Sequence, residues 1–208
     1  MGRGFRKTTA FLVAVTILSS GIVTFPQRYP PGVDAASQLR FGIGARALGM
    51  GSALTAVAQG PEAVYWNPAF LTESRLSVGG MYTEPFGELG YRVQFAGLVG
   101  SHGNFGYGVG WFNSHVSDIP LTGDGGSFDY DSSVFFLSLA LEEEKGGFSI
   151  AVGGSLKVYR EAMLEGRALG FGFDIGVLVD LGEVNLSYCS QDVGMTRYRW
   201  TGTGQEPM

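Results

Sequence analysis

A single cysteine, Cys189, excludes any disulfide within the chain, so stability has to come from elsewhere. There are two histidines, His102 and His115, and neither sits near a serine or cysteine in a nucleophile-and-base arrangement. Charged residues make up only 16% of the chain, the formal net charge is −5, and no basic block is present, which removes nucleic acid from the expected partners. The apolar runs favour a cleaved export signal over a retained membrane anchor of ~20 residues. The best stretch, Ala10 to Phe25, is interrupted by Ser19, Ser20 and Gly21. Glycine, by contrast, is abundant at 34 of 208 residues, and the absence of a three-residue period excludes a collagen helix.

The N-terminus reads as an export signal. Arg3, Arg6 and Lys7 precede the apolar run, and Val33-Asp34-Ala35 resembles a small-residue cleavage site. Residues 1–35 are therefore expected to be a signal peptide and leader, with a mature start near Ala36.

From Leu76 onward the dominant period is two, the period of a strand with two different faces. In "NFGYGVGWF" the residues Phe105, Tyr107, Val109 and Trp111 alternate with Asn104, Gly106, Gly108 and Gly110. "ALGFGFDIGVLV" sets Leu169, Phe171, Phe173, Ile175 and Val177 against Gly170, Gly172, Asp174 and Gly176. In "YRVQFAGLV" Tyr91, Val93, Phe95 and Val99 form the apolar face and Arg92, Gln94 and Ala96 the other. Seven candidate strands begin near Leu76, Tyr91, Asn104, Val134, Phe148, Ala168 and Val184. Several reach about ten residues, the length of a tilted bilayer-crossing strand and longer than the ~5–6 usual in soluble sheets. The pattern predicts an all-β fold, an antiparallel transmembrane outer-membrane β-barrel with lipid on the apolar face and glycines lining the lumen; an exported soluble sandwich is the competing architecture. Short connections near His102, Glu142–Gly147 and Asp180–Glu183 are expected on one rim. Longer loops, Asn113–Ser133 and Arg160–Arg167, are expected on the other. Tyr82, Tyr91, Trp111 and Tyr159 would form an aromatic girdle beside the long loops, with Phe105 and Phe148 near the opposite rim.

The stretch "GARALGMGSALTAVAQGPEAVYWNPAFL", Gly44 to Leu71, fits neither a clean helix nor a strand. Gly60-Pro61-Glu62 looks like a helix start and Asn67-Pro68 like its end, and the small residues Ala53, Ala56, Ala58 and Ala63 would let it pack inside a barrel. The longer run from Phe41 to Leu71, with "DIPLTGDGGSF" and "GFGFDIGVLVDL" further on, resembles the PorV/PorQ group of bacterial outer-membrane proteins, related to the FadL-type transporters of hydrophobic compounds. That resemblance implies a FadL-like barrel of about fourteen strands with an N-terminal hatch inside it. It carries the hatch motif onto Asn67, Pro68 and Ala69, with Phe70 standing where the family usually has glycine. Residues 36–74 are then the hatch, and 75–208 the N-terminal part of the barrel. Seven strands fall short of a closed even-numbered barrel, so the stretch is expected to be a fragment of a longer protein. The weaker alternative is a small eight-stranded barrel with Thr196–Trp200 as the stub of its last strand.

Other chemistry fits poorly. "GIGARA" matches a loose nucleotide fingerprint without the surrounding strand-helix-strand unit. Asp124, Asp129 and Asp131 lack the spacing of a calcium loop, so neither a metal nor a cofactor is expected. Asp174 has lumen parity among glycines, where a carboxylate needs water or a cation. Candidate lumen charges are thus Arg92, Lys157 and Asp174, with Asp174 either paired across the sheet or anchoring the hatch. The resemblance implies no enzyme. It implies a protein of the bacterial outer membrane, in contact with its lipid and passing long-chain fatty acids or another hydrophobic ligand. Likeness to PorV implies the alternative, a non-transporting partner of secretion-system proteins.

Overall fold

The computed structural model describes residues 37–201, except 124, 145, 165, 194 and 195, so the expected leader lies outside the described residues. Short helical turns come first: Ser37–Phe41, α1 (Ala45–Gly49), Gly60–Glu62 running into α2 (Ala63–Trp66), and Pro68–Glu73. The strands follow as β1 (Ser77–Thr83), β2 (Tyr91–His102), β3 (Phe105–Pro120), β4 (Ser127–Glu144), β5 (Ser149–Met163), β6 (Gly166–Asp180), β7 (Asn185–Ser190) and β8 (Arg197–Thr201). Each strand from β1 to β7 pairs antiparallel with the next in chain order. The sheet curls into a half-barrel with residues 37–73 packed on its concave side.

β7 and β8 are two arms of one strand path. β5 pairs along the whole of β6 on one edge, while β7 takes Ile175–Asp180 and β8 takes Arg167–Phe171 on the other. From Ile175↔Ser190 to Phe171↔Arg197 the chain moves four residues along β6 and seven along its partner, an excess of three. That excess falls between Ser190 and Arg197. The half-barrel therefore has seven strand paths, and the segment expected as an eighth-strand stub extends the seventh.

The connections differ from expectation. Asn113–Ser133 is mostly strand, because β3 and β4 continue pairing to Pro120 and Ser127 and leave only 121–126 between them. Ile119 pairs with Phe128 and Val116 with Tyr130, β-forming residues that sustain the ladder across an irregularity at Ser117 and Asp118. Arg160–Arg167 is likewise mostly strand, with β5 running to Met163 and β6 starting at Gly166, and Leu164 takes the left-handed φ of 52° that a tight hairpin requires.

Cross-strand register assigns the faces. The concave face carries Phe95, Gly97, Val99, Gly106, Gly108, Gly110, Phe112, Ser138, Gly153, Ser155, Asp174 and Gly176. The convex face carries Val109, Phe135, Leu137, Leu139, Leu141, Val152, Leu156, Leu169, Phe171 and Phe173, all exposed. On β6 the convex positions from Val179 to Leu169 are apolar without a break. Ten rises span ~33 Å along a strand, or ~25 Å after a tilt of ~40°, the height of the apolar band on outer-membrane barrels.

Two face assignments are reversed. On β2 the apolar residues Val93, Phe95 and Val99 point inward and are buried, so Arg92, Gln94 and Ala96 face outward. The inward surface here is a packed contact with the N-terminal segment, and packing demands apolar side chains. Of the expected girdle, Tyr82 and Trp111 lie on the convex face. Tyr91 shares the inner face, between Phe41 and Phe86, and Tyr159 is wholly buried.

Inward glycines set how closely the N-terminal segment seats. A Cβ built on Gly108 or Gly110 would stand 2.7 Å from the Val64 methyls. On Gly106 it would collide with Leu71, and on Gly153 with Pro68 and Ala69. Gly153→Val is expected to lower stability by about 1–3 kcal/mol through overpacking, read from the denaturant midpoint. Gly49→Ala, where an added Cβ meets nothing within 4 Å, is expected to leave that midpoint unchanged or raise it slightly.

Candidate functional site

The N-terminal segment is held by its own bonds before it meets the wall. Trp66 Nε1 donates to the Ile43 carbonyl at 3.0 Å, and the Tyr65 hydroxyl donates to the Leu39 carbonyl, so the first turns fold back over α2. Asn67, expected at the end of this helix, is extended at φ −166° and fully buried. Its Oδ1 accepts from the Ala69 amide at 3.0 Å, capping the Pro68–Glu73 turn, and its Nδ2 donates to the Thr55 carbonyl at 3.1 Å. Pro68 occupies the first position of that turn, where its missing N–H costs nothing. Phe70 is buried and lies outside the left-handed region, so the turn needs no glycine there.

The Asn67-Pro68-Ala69 motif sits on the floor of the half-barrel between two glycines. A Cβ at Gly176 would meet Asn67 Oδ1, and one at Gly153 would meet Pro68 and Ala69. Polar contacts add direction to this fit. Ser187 Oγ donates to the Thr55 carbonyl at 2.9 Å, and Gln191 Nε2 to the Tyr65 carbonyl at 2.9 Å. Glu62 lies over Gly44, where burial pushes its carboxyl above the usual range and nearby Arg46 draws it back in part.

Behind α2, β5 and β6 bring two of the three candidate lumen charges together. Lys157 Nζ lies 2.6 Å from Asp174 Oδ1, with both side chains 1% exposed. A second carboxylate completes the group: Asp192, 2.9 Å from the same Nζ. Asp192 Oδ1 also accepts from the Tyr159 hydroxyl at 2.5 Å and from Thr196 Oγ1 at 2.7 Å, and the Asp192 amide donates to Asp174 at 2.8 Å. Lys157 Nζ stands 5.6 Å from the centre of the Tyr159 ring. Arg92 has no part in this group, because its register places it on the convex face near Tyr82.

Asp192 comes from the three-residue excess between β7 and β8, and its φ of 55° turns the chain inward to reach Lys157. The same inward loop carries Gln191 to the N-terminal segment. Sequence reading missed both residues. The available signal was the polar break "SQDVG", after which alternation resumes at Thr196. Asp174 is thus paired across the sheet, and the Asp192 amide ties it to the loop whose Gln191 reaches the N-terminal segment. His115 lies 3.5 Å from Asp131 on the convex face, away from this site. Among the described residues, no group of three or more His, Cys, Asp and Glu is placed to hold a metal ion, and no helix is long and apolar enough to cross a membrane.

Chemically this is a fully bonded ion group with no free nucleophile, built to fix one strand path against the interior. Lys157→Met strands the buried Asp174 carboxylate, with Asp192 at 32% exposure retaining access to water, and is expected to cost about 3 kcal/mol, measured by chemical denaturation. Neutralising all three charges in K157M/D174N/D192N is expected to recover much of that loss. Asn67→Ala is expected to cost about 1–2 kcal/mol by removing the cap, seen as earlier protease cleavage within 37–73.

Comparison with protein-family models, with curated proteins and with solved structures finds no match for this chain.

Proposed function

We propose that this chain forms the N-terminal part of a FadL-like outer-membrane β-barrel that lets hydrophobic molecules, long-chain fatty acids among them, pass around an N-terminal hatch. The observation that carries the reading is the inversion of the sheet. Its convex wall is a continuous exposed apolar belt, and its concave wall holds a packed plug and a buried ion group. An exposed apolar surface of this extent is costly in water and favourable against lipid. In the same reading residues 1–35 direct export.

The reading carries a requirement. β1 and the β7–β8 path pair on one side only among the described residues, and such edges need partners in hydrocarbon. On the hatch, Leu48, Met50 and Val57 are exposed. About seven further strands, as in a barrel of roughly fourteen, would cover that surface and pair both edges.

A second reading, a non-transporting barrel that serves secretion-system proteins at the surface, draws on β3 and β4. At 16 and 18 residues they exceed the ~9–11 needed to cross, and their upper convex positions are polar: Asn113, His115, Asp131 and Ser133. A ribbon standing above the membrane suits docking. One assay separates the readings. Vesicles reconstituted with the full-length protein are expected to take up labelled oleate under the first reading, and to match empty vesicles under the second. Leu139→Arg, at mid-height of the belt, is expected to cost about 2–4 kcal/mol in the bilayer and to reduce recovery in the outer-membrane fraction. Unchanged recovery there, or wild-type protein in the soluble periplasmic fraction, would overturn both readings.

A further inference from the structure

The convex faces of β5 and β6 carry only two charged residues. In chain order the outward positions of β5 are Ile150, Val152, Gly154, Leu156, Val158, Arg160 and Ala162, and those of β6 are Arg167, Leu169, Phe171, Phe173, Ile175, Val177 and Val179. Both charges are arginines and both lie at the top of the apolar belt. Among the described side chains, β8 adds a third on the same face, Arg199.

Register brings the three together. Leu169 pairs with Arg160 on one side and with Arg199 on the other, so their Cα atoms lie ~10 Å apart across it. Arg167 follows two residues above Leu169, opposite Thr201. These side chains rim a concavity of about 620 Å³, with Leu169 and Phe171 forming its lower, apolar part. All three arginines are exposed, and none meets a carboxylate among the described residues. Among the described residues the nearby acids are engaged or face elsewhere: Asp131 with Asn113 and His115, and Glu161 and Asp192 on the inner side.

Unpaired guanidinium groups with their planar forks match phosphate oxygens, and three around one concavity suit a doubly charged headgroup better than a single carboxylate. Directly below them β6 presents apolar side chains, with Leu169 50% and Phe171 57% exposed. We infer that Arg160, Arg167 and Arg199 form a binding site for the phosphate headgroup of an anionic membrane lipid, whose acyl chain lies down the convex wall over Leu169 and Phe171. This rests on the membrane reading above and adds a specific lipid contact to it. An apolar shelf continuous with a cationic rim distinguishes a lipid from a free phosphate, which would use the rim alone.

The test uses detergent-solubilised full-length protein, titrated separately with dihexanoyl phosphatidic acid, dihexanoyl phosphatidylcholine and inorganic phosphate. Phosphatidic acid is expected to bind about tenfold or more tightly than either alternative. R160Q/R167Q/R199Q is expected to lose that preference, and Arg75→Gln, an exposed arginine outside the cluster, to keep it. Equal binding of phosphatidic acid and phosphatidylcholine, or wild-type affinity in the triple variant, would overturn the site. Inorganic phosphate binding as tightly as phosphatidic acid would overturn the lipid assignment and leave a plain anion site. Flotation with neutral phosphatidylcholine vesicles keeps the two readings apart. Wild type and triple variant should both float. Failure of the wild type to float overturns the membrane reading and this inference with it, whereas flotation without phosphatidic-acid preference overturns the inference alone.

Discussion

The closeness of the N-terminal segment to the sheet is the constraint on which the rest depends. α2 and the Pro68–Glu73 turn lie so near the sheet that a single methyl at Gly106, Gly108, Gly110, Gly153 or Gly176 would have to displace them. Glycine inside a strand costs roughly 0.5–1 kcal/mol relative to alanine, and that cost recurs wherever the plug touches. It is offset only because the plug fills the space with Val64, Leu71 and the Asn67-Pro68-Ala69 motif, all buried. Where the wall does carry large inward side chains, as at Phe95, Phe112 and Phe136, Tyr65 packs beside the last two rings. Small and large inward residues are two sides of one fit.

A buried lysine imposes the next feature. Lys157 faces a water-poor interior, and an isolated ammonium there is prohibitive. Asp174 lies diagonally across from it on β6 and supplies one counter-charge. The second cannot come from a regular seventh strand, whose residues opposite Gly172 would lie in the sheet. Three extra residues let the chain leave the ladder, place Asp192 against Nζ and then rejoin β6 as β8. Thr196 and Tyr159 satisfy the remaining capacity of its Oδ1. The detour also delivers Gln191 to the hatch, so electrostatic need and plug retention use the same irregularity.

Much of this was legible in the sequence, and the failures have a common cause. Period-two alternation located the strand paths, and the proline and asparagine of the hatch motif placed its turns. Parity put Asp174 on the inner face and left Lys157 and Arg92 both open as its partner; only the register, which turns Arg92 outward, selects Lys157. Loops were overestimated because Ser, Asp and Gly between Asn113 and Ser133 read as turn residues, whereas Val116, Ile119, Phe128 and Tyr130 keep the ladder going. Asp192 was invisible because a bulge is a relation between two strands, set by a register offset that one strand cannot reveal.

The reversal on β2 shows what alternation alone cannot decide. β2 carries apolar residues that pack against the N-terminal segment on its concave face, while neighbouring strands expose apolar residues on the convex face, so hydrophobicity does not say which face is which. Glycine does. On β3 the glycines oppose Phe105, Tyr107, Val109 and Trp111, which puts those residues outside, and the pairing of Gly108 with Val99 and Gly110 with Gly97 carries the assignment to β2. Directly opposed residues in an antiparallel pair share a face, so Val93, Phe95 and Val99 must be inside with the glycines. Small-residue positions on neighbouring strands, taken together with register, fix the orientation that each strand alone leaves open.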